Sequence, residues 1–376
     1  MLATKTRDVE ASDVEQAREV KAEVKEEMEP ATLEMAKGVL AGNRVSLSRA
    51  ITLIESWKES HTLQAQYLLE YVLKDRQEKG IDATSSFRLG ICGTPGSGKS
   101  STIERLGTML VRDKGQRVAV LAVDPSSARS GGSILGDKTR MTELSKLEEA
   151  YVRPSPTRGS LGGVAQHTND VVLLCEAAGF DIVIVESVGL GQSEVLIDEV
   201  VDMTVLLAAP AGGDELQGVK KGIMEIADMV VVNKADGDLE KVARHAATDY
   251  MHALQLMRRK REAWRPRVKK CSALRNTGIE DVWQVVEKFR KTMTESGDLL
   301  LKRQQQNRSW MWNQFNEQLM FRAKHDPELH HLADDLAETL GQGYGTPRHA
   351  ARTLVSEFLR KNAPAPPSSS SSSTSS

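Results

Sequence analysis

Short runs of β-branched and other apolar residues alternate with stretches of helical periodicity between Phe87 and Leu274. This alternation predicts strands joined by helices, and therefore an α/β fold with a mainly parallel sheet covered by helices on both faces. The predicted strands are Phe87–Cys92, Arg117–Val123, Asp181–Val185, Met203–Ala209, Met229–Val232 and Val268–Cys271.

The segments that flank this region have other patterns. Apolar residues at helical spacing from Ala31 to Gln77 predict two or three amphipathic helices. The Glu- and Lys-rich first 30 residues hold few apolar side chains, so we expect a mobile acidic arm or a frayed helix there. We therefore divide the chain into an arm (1–30), an N-terminal helical segment (31–84), a P-loop domain (85–277), a C-terminal helical region (278–361) and a disordered Pro/Ser tail (362–376).

Aromatic residues are concentrated in the C-terminal helical region of a chain that is otherwise poor in them. Two interpretations stay open, because such residues can form the core of a helical hairpin or a surface between subunits. The residues concerned are Trp283, Phe289, Trp310, Trp312, Phe315 and Phe321.

The first predicted strand leads directly into a P-loop sequence. Its glycines let backbone N–H groups turn toward phosphates, and the helix that follows adds the positive end of its dipole. Lys99 is placed to reach the β- and γ-phosphates and Ser100 to bind Mg²⁺. A glycine-rich turn without a ligand is the alternative, and the strand before and helix after argue against it. The predicted phosphate-binding residues are Gly93, Thr94, Pro95, Gly96, Ser97, Gly98, Lys99, Ser100 and Ser101.

An Asn-Lys-Ala-Asp sequence directly after the strand Met229–Val232 indicates which base the bound nucleotide carries. A carboxylate there can accept hydrogen bonds from N1–H and the 2-amino group of guanine, whereas adenine offers neither donor. Without that context the same four residues make an ordinary surface turn. The loop after the last strand is placed to support the guanine oxygen through a backbone N–H. The predicted ligands are GTP and GDP, bound by Asn233, Lys234, Asp236, Ser272, Ala273 and Leu274.

Three acids follow strands or lie in glycine-flanked loops, where the carboxyl ends of a parallel sheet converge on a ligand. They are Asp124, Asp137 and Glu186, and with Lys99 they form the predicted catalytic set. Ser100, Asp137 and Glu186 are the predicted Mg²⁺ ligands. Asp124 precedes a proline and could instead cap a helix. Glu186 could instead be a structural carboxylate at a strand end.

Composition argues against several classes of binding partner. The formal net charge is −2, so no overall basic footprint indicates nucleic acid or an anionic membrane. No apolar run approaches the length of a membrane span. The three cysteines lie far apart without a CxxC pair, which argues against a disulfide framework or a thiolate zinc site. The N-terminus resembles neither a secretory signal nor a typical presequence. These residues leave the compartment undecided, and the family resemblance given below implies the mitochondrial matrix in a eukaryote and the cytoplasm otherwise.

Loop motifs outside the P-loop resemble the MeaB/ArgK family of G-proteins, over about residues 35 to 361. The motifs are VDPSS at 123–127, GGSILGDKTRM at 131–141, RPSPTRGSLGG at 153–163, ESVGLGQSE at 186–194, GDELQGVKKGIMEIAD at 213–228 and NKAD at 233–236. The resemblance implies a G-domain with N-terminal helices and a C-terminal dimerisation arm. It also implies GTP, GDP and Mg²⁺ as ligands and methylmalonyl-CoA mutase as the partner, whose adenosylcobalamin loading and protection the GTPase controls.

The resemblance carries over to individual residues. It implies that Gly93–Ser101 hold the phosphates, that Ser100, Asp137 and Glu186 organise Mg²⁺ with Asp124 in support, and that Asn233 and Asp236 hold guanine. Residues 213–221 would be a mobile switch that reports the nucleotide state to the mutase. Lys220 and Lys221 within it could instead be ordinary solvated charges.

One sequence difference from small GTPases affects the expected rate of GTP hydrolysis. Leu190 follows the glycine after which those enzymes place a water-orienting glutamine, and Gln192 comes two positions later. We therefore expect slow turnover that a partner stimulates. Two other functions stay open: an accessory kinase of arginine/ornithine transport, which would normally use ATP, and a metal-insertion GTPase, for which no Cys/His cluster is evident in the sequence.

Overall fold

The computed structural model describes residues 11–56, 58–124, 141–156, 161–187, 197–210 and 221–362. For residues 11–13, 59, 123–124, 154–156, 161–166 and 221 it describes the backbone only. The helices are α1 (Ala11–Glu27), α2 (Pro30–Leu40), α3 (Arg44–Ile54), α4 (Glu59–Glu78), α5 (Lys99–Arg112), α6 (Leu161–Ala177), α7 (Lys221–Ile226), α8 (Leu239–Leu256), α9 (Ile279–Glu295), α10 (Asp298–His325), α11 (Pro327–Gly341) and α12 (Pro347–Lys361). None of these described helices is long and apolar enough to cross a lipid bilayer.

Seven parallel strands form one sheet, which confirms the α/β prediction. The strands are β1 (Phe87–Cys92), β2 (Val118–Asp124), β3 (Ala150–Pro156), β4 (Ile182–Ser187), β5 (Met203–Ala208), β6 (Met229–Val232) and β7 (Arg267–Lys270). Their order across the sheet is β3-β2-β4-β1-β5-β6-β7. Every residue of β1, β4, β5 and β6 is buried, because helices cover both faces of a parallel sheet.

Six of the strands match the predicted ones to within two residues at either end. Strand β3 was not predicted; it is an edge strand that pairs only with β2 among the described residues. It contains Pro154 and Pro156, which cannot donate to a ladder and make the sequence read as a loop. Proline is tolerated at a sheet edge, so the pairing survives.

Of the two alternatives expected for the N-terminal region, a mobile arm and a frayed helix, residues 11–27 agree with the helix, since they form α1. Its face of Ala17 and Val24 is buried. Lys21 on the same helix places its Nζ 2.6 Å from Asp75 Oδ1 and 3.0 Å from Glu78 Oε2 of α4. Burial of this apolar face, together with ion pairs to α4, thus orders a segment whose composition alone indicates disorder. Residues 1–10 lie outside the described residues.

Helix α9 belongs to the core of the sheet. Its apolar face, spaced at three and four residues, includes Trp283 and Phe289, which are 2% and 0% exposed. The Phe289 ring lies 5.1 Å from that of Trp264 and 6.3 Å from that of Phe87 in β1, in edge-to-face contacts. These two aromatic residues of the C-terminal region are therefore core residues.

Two compact units make up the chain, Met1–Asn307 and Arg308–Ser376. The division differs from the expected boundary after residue 277, because α9 and the start of α10 pack within the first unit. In the second unit, Asp326 caps α11 by accepting from Glu328 N and Leu329 N at 3.0 and 3.1 Å. Asp326 also accepts from Lys361 Nζ of α12 at 2.9 Å. The tail from residue 363 lies outside the described residues.

The amino-terminal edge of the sheet is closed by buried ion pairs. We call Arg88, Glu176, Asp202 and Arg303 the amino-edge network. Arg88 binds Glu176 through two N–H···O bonds of 2.7 and 2.9 Å, and Arg303 Nε donates to Asp202 at 2.8 Å. Burial alone would raise the pKa of Asp202, but the Arg303 guanidinium outweighs it and holds the pKa below its usual range. Both acids are therefore paired and ionised.

Candidate functional site

The phosphate loop leaves β1 and enters α5 with a backbone that only glycines adopt easily. Gly96 and Gly98 have φ values of 82° and 89°, in the left-handed region. A Cβ on Gly98 would lie 2.3 Å from Asn233 Nδ2, and a Cβ on Gly93 would lie 2.1 Å from the carbonyl oxygen of Leu207. The loop can therefore pass this close to β5 and to the Asn233 loop only with glycine at these positions.

Lys99 is the first residue of α5 and its side chain is 8% exposed. Its Nζ donates to the carbonyl oxygens of Gly93 and Thr94 at 2.8 and 3.2 Å. The ammonium group thus lies across the loop whose N–H groups are predicted to bind phosphate. This position fits a lysine that transfers its hydrogen bonds to phosphate oxygens.

Ser100 and Glu186 meet at the carboxyl end of the sheet. Ser100 Oγ donates to Glu186 Oε1 at 3.0 Å, and Glu186 is 2% exposed. Parallel pairing places Glu186 opposite Ile91 of β1 and Ala122 of β2. Two residues whose sequence positions differ by 86 are therefore brought together because β1 and β4 are neighbours.

Asn233 joins the two halves of the site. Its side chain is buried, with Nδ2 donating to the Ser97 carbonyl oxygen at 2.9 Å. Its Oδ1 accepts from the backbone N–H of Ala273 at 3.1 Å. One amide group therefore fixes the phosphate loop relative to the loop that follows β7.

Asp236 faces the same loop, since Ser272 Oγ donates to Asp236 Oδ2. Ser272 in turn accepts from Arg275 N at 3.0 Å, which holds the hydroxyl in place. A cavity of about 660 Å³ opens beside these residues. It is lined by residues of α5, of the loops after β6 and β7 and of the turn at 142–143, among them Ser101, Asn233, Lys234, Asp236, Ala273 and Leu274. The cavity has the size that a nucleoside needs, and its lining combines apolar side chains such as Leu239 and Leu274 with the polar groups of Asn233 and Asp236.

Arg105 is a site residue that the sequence analysis missed. Its Nε donates to the Ala273 carbonyl oxygen at 3.2 Å, and its side chain lines the same cavity. Arg105 lies four residues after Ser101 on α5, so both share one helix face. That spacing was the available signal, but a helix face does not reveal which loop packs against it.

Several predicted site residues lie outside the described residues. Asp124 ends β2, whose Val123 pairs with Ser187 beside Glu186, but its side chain is not described. Asp137, Leu190, Gln192 and Lys220 also lie outside the described residues. Their predicted roles remain predictions. Among the described residues, no group of three or more His, Cys, Asp or Glu side chains could hold a metal ion.

Comparison with known proteins identifies a family. The family model described as methylmalonyl-CoA mutase-associated GTPase MeaB matches residues 47–328. The mitochondrial methylmalonic aciduria type A homologue of Caenorhabditis elegans is 45% identical over 335 residues, covering 88% of this chain and 84% of that protein. The mouse homologue is 46% identical over 328 residues, covering 86% and 79% of the two chains.

Bacterial relatives match as well. The GTPase ArgK of Escherichia coli is 46% identical over 282 residues, covering 74% of this chain and 82% of that protein. A crystal structure named as a LAO/AO transport system kinase superposes with a TM-score of 0.68 at 35% identity, covering 88% of this chain and 98% of that one.

Proposed function

Because this chain belongs to the family of methylmalonyl-CoA mutase-associated GTPases, we propose that it hydrolyses GTP to control adenosylcobalamin loading and protection of a methylmalonyl-CoA mutase. Its eukaryotic relatives are named as mitochondrial, so we propose the mitochondrial matrix for a eukaryotic source and the cytoplasm otherwise. GTP hydrolysis yields GDP and phosphate, and the nucleotide state would be the signal to the mutase.

The bridging position of Asn233 is the observation that supports guanine nucleotide most strongly. Its amide ties the Ser97 carbonyl to the Ala273 N–H, with Asp236 beside both. Phosphate and base are thereby bound at a fixed separation. The Asp236 carboxylate would accept from N1–H and the 2-amino group of guanine, two donors that adenine lacks.

The residues present fit Mg²⁺. Ser100 and Glu186 offer a hydroxyl and a carboxylate oxygen 3.0 Å apart, and both are hard oxygen donors. Mg²⁺ usually takes one or two protein ligands and completes its shell with phosphate oxygens and water. We propose that Ser100, Glu186 and Asp137 hold the ion, which would neutralise phosphate charge, while Asp124 supports them. Lys99 would bind the β- and γ-phosphates from within the loop.

Hydrolysis in the isolated protein should be slow, because Leu190 occupies the position where small GTPases place a water-orienting glutamine. We propose that the mutase completes the site through residues 213–221. Adding purified methylmalonyl-CoA mutase should then raise GTP turnover by about tenfold or more. Turnover that does not change at saturating mutase contradicts the chaperone proposal while leaving the GTPase assignment intact.

A paired variant locates the coupling. Lys220→Ala with Lys221→Ala should remove the stimulation and leave basal turnover and GTP affinity unchanged, since neither lysine belongs to the phosphate or base motifs. Lys241→Ala with Lys288→Ala, two exposed lysines elsewhere, is the matched control. Stimulation that survives in the first variant places the coupling element elsewhere.

We further propose that the second unit mediates a homodimer. The part of α10 that belongs to this unit carries apolar residues that are each at least half exposed: Met311, Trp312, Phe315, Met320 and Phe321. Trp312→Glu with Phe315→Glu should convert a dimer into a monomer by light scattering. Lys324→Glu on the same helix is the control. A dimer that persists in the first variant contradicts this assignment.

A further inference from the structure

A strongly basic segment separates α8 from the guanine-binding loop. Residues 258–270 contain eight basic residues and one acid, in a chain whose formal net charge is −2. Two of the cations face inward. Lys260 Nζ donates to Asp198 Oδ1 at 2.8 Å, and Arg261 Nε donates to Asp228 Oδ1 at 3.2 Å. The remaining six form what we call the basic edge: Arg258, Arg259, Arg265, Arg267, Lys269 and Lys270.

The basic edge is held on a rigid frame. Trp264, in the middle of the segment, is 4% exposed and donates its indole N–H to the Asp228 carbonyl oxygen at 2.9 Å. With the inward ion pairs of Lys260 and Arg261, this fixes the backbone between Arg259 and Arg265. A partner would therefore meet cations whose backbone is already ordered.

The outward cations have few counter-charges nearby in the sequence, since Glu262 is the one acid of the segment. Arg258, Arg259 and Arg265 are exposed, and no carboxylate of the described residues forms an ion pair with any member of the basic edge. Arg267 lies instead over the Trp264 ring, 5.9 Å from its centre. Several like charges with so few acids among them repel one another, and an acidic partner would relieve that repulsion.

The last strand of the sheet, β7, begins two residues after Arg265 and carries Arg267, Lys269 and Lys270. Strand β7 pairs only with β6 among the described residues, so its other edge presents backbone N–H and C=O groups. Lysines on an edge strand often protect it from pairing with other molecules, and this protection alone would account for Lys269 and Lys270. The same explanation does not account for Arg258, Arg259 and Arg265, which lie outside the strand.

From this arrangement we infer that the basic edge is a docking surface for an acidic, extended segment of a partner protein. An extended peptide can pair with the open edge of β7 while its carboxylates meet the arginines, which bind carboxylates in a bidentate fashion. Leu256, 90% exposed just before the segment, offers an apolar contact to the same ligand. Single-stranded nucleic acid fits less well, because the segment's one aromatic ring, Trp264, is buried and presents no stacking surface.

The probe is a fluorescein-labelled synthetic peptide that alternates glutamate with valine, and its lysine–valine counterpart reports non-specific binding. Fluorescence anisotropy on the full chain should show binding of the acidic peptide that weakens with salt. The variant Arg258→Glu/Arg259→Glu/Arg265→Glu should lose roughly tenfold in affinity, or about 1.4 kcal/mol. The control Lys25→Glu/Arg49→Glu/Lys58→Glu changes the net charge equally at exposed sites elsewhere and should retain binding.

Equal loss in both charge-reversed variants overturns the proposal, because it would show non-specific attraction. So does selective binding, at the basic edge, of phosphatidylcholine–phosphatidylserine vesicles or polyuridylate in place of the acidic peptide. GTP affinity reports whether each variant folds. If the glutamate variant fails that check, Arg258→Gln/Arg259→Gln/Arg265→Gln replaces it, with an expected loss of roughly threefold and with Lys25→Gln/Arg49→Gln/Lys58→Gln as its control.

Discussion

The two edges of the sheet hold their polar groups in opposite ways. At the amino edge, Arg88, Glu176, Asp202 and Arg303 are buried and pair with one another. At the carboxyl edge, Lys99 rests on two backbone carbonyls and Asp236 faces a cavity of about 660 Å³.

The difference shows how one sheet serves two purposes. Charges at the amino edge are satisfied within the protein, so they fix the strands and the start of α10 but are not available to a ligand. Those at the carboxyl edge make exchangeable contacts, so a ligand can take them over. Removing a residue from the first edge should therefore cost stability, and removing one from the second should cost affinity.

The largest expected effect is on stability at the amino edge. Arg303→Met would leave the buried Asp202 carboxylate without its guanidinium, at a cost of about 3 to 5 kcal/mol in the free energy of unfolding. Denaturant titration measures it. The matched control Arg322→Met replaces an exposed arginine and should have little effect. A cost for Arg303→Met as small as that of the control would contradict the structural role of the network.

The next effect is on affinity at the carboxyl edge. Lys99→Ala removes charged hydrogen bonds to phosphate, and GTP affinity should fall roughly a hundredfold, or about 3 kcal/mol. The free energy of unfolding should change by less than about 1 kcal/mol, because the lysine contacts described here are to loop carbonyls. Calorimetry with GTP and denaturant titration together separate the outcomes. A Lys99→Ala variant that loses several kcal/mol of stability but keeps its GTP affinity would contradict the proposed difference between the two edges.

Much of the carboxyl edge was predictable because its motifs are local. Gly93–Ser100 and Asn233–Asp236 each follow an apolar run that is long enough to be a buried strand. The contact of Asn233 with Ser97 was not predictable, since 136 residues separate them and only the strand order brings them together. The amino-edge network was missed for the same reason.

The remaining misses have other causes. Pro154 and Pro156 make β3 resemble a loop in sequence. The choice between a mobile arm and a frayed helix at residues 11–27 stayed open because the acids of α4 that pair with Lys21 and Arg18 lie far along the chain. The net charge of −2 concealed the basic segment 258–270, since acids elsewhere cancel it. Composition averages over the surface, whereas a partner meets one part of it.

A smaller effect is expected at the predicted metal site. Glu186→Gln keeps an acceptor for Ser100 but removes the charge, so Mg²⁺-dependent GTP turnover should fall roughly tenfold. GDP affinity without Mg²⁺ should stay within about twofold, a difference of about 0.4 kcal/mol. Glu295→Gln on the exposed face of α9 is the control. Normal turnover in Glu186→Gln would place the metal elsewhere.

The smallest effect near neutral pH is expected for the pH dependence of stability. Burial acts against ionisation of Asp202 and Glu176, but Arg303 and Arg88 hold both pKa values below their usual range. Acids with lowered folded-state pKa values contribute stability that is present above their unfolded pKa values, near 4, and is lost as the pH falls through the folded ones. The contribution of these two acids to the free energy of unfolding should therefore be constant near neutrality and be lost below about pH 4. A fall that begins between pH 6 and 7 would show that other groups control acid stability.

The claim that Asp236 reads guanine is tested most directly by calorimetry of the wild-type protein and Asp236→Asn with GTP, xanthosine triphosphate and ATP. The wild type should prefer GTP over ATP by at least about a hundredfold. The variant should lose GTP affinity and gain xanthosine triphosphate, because its amide N–H can donate to the 2-oxo group where the carboxylate accepted from the 2-amino group. Equal affinity of the wild type for ATP and GTP, or no gain for the xanthine nucleotide, would contradict it.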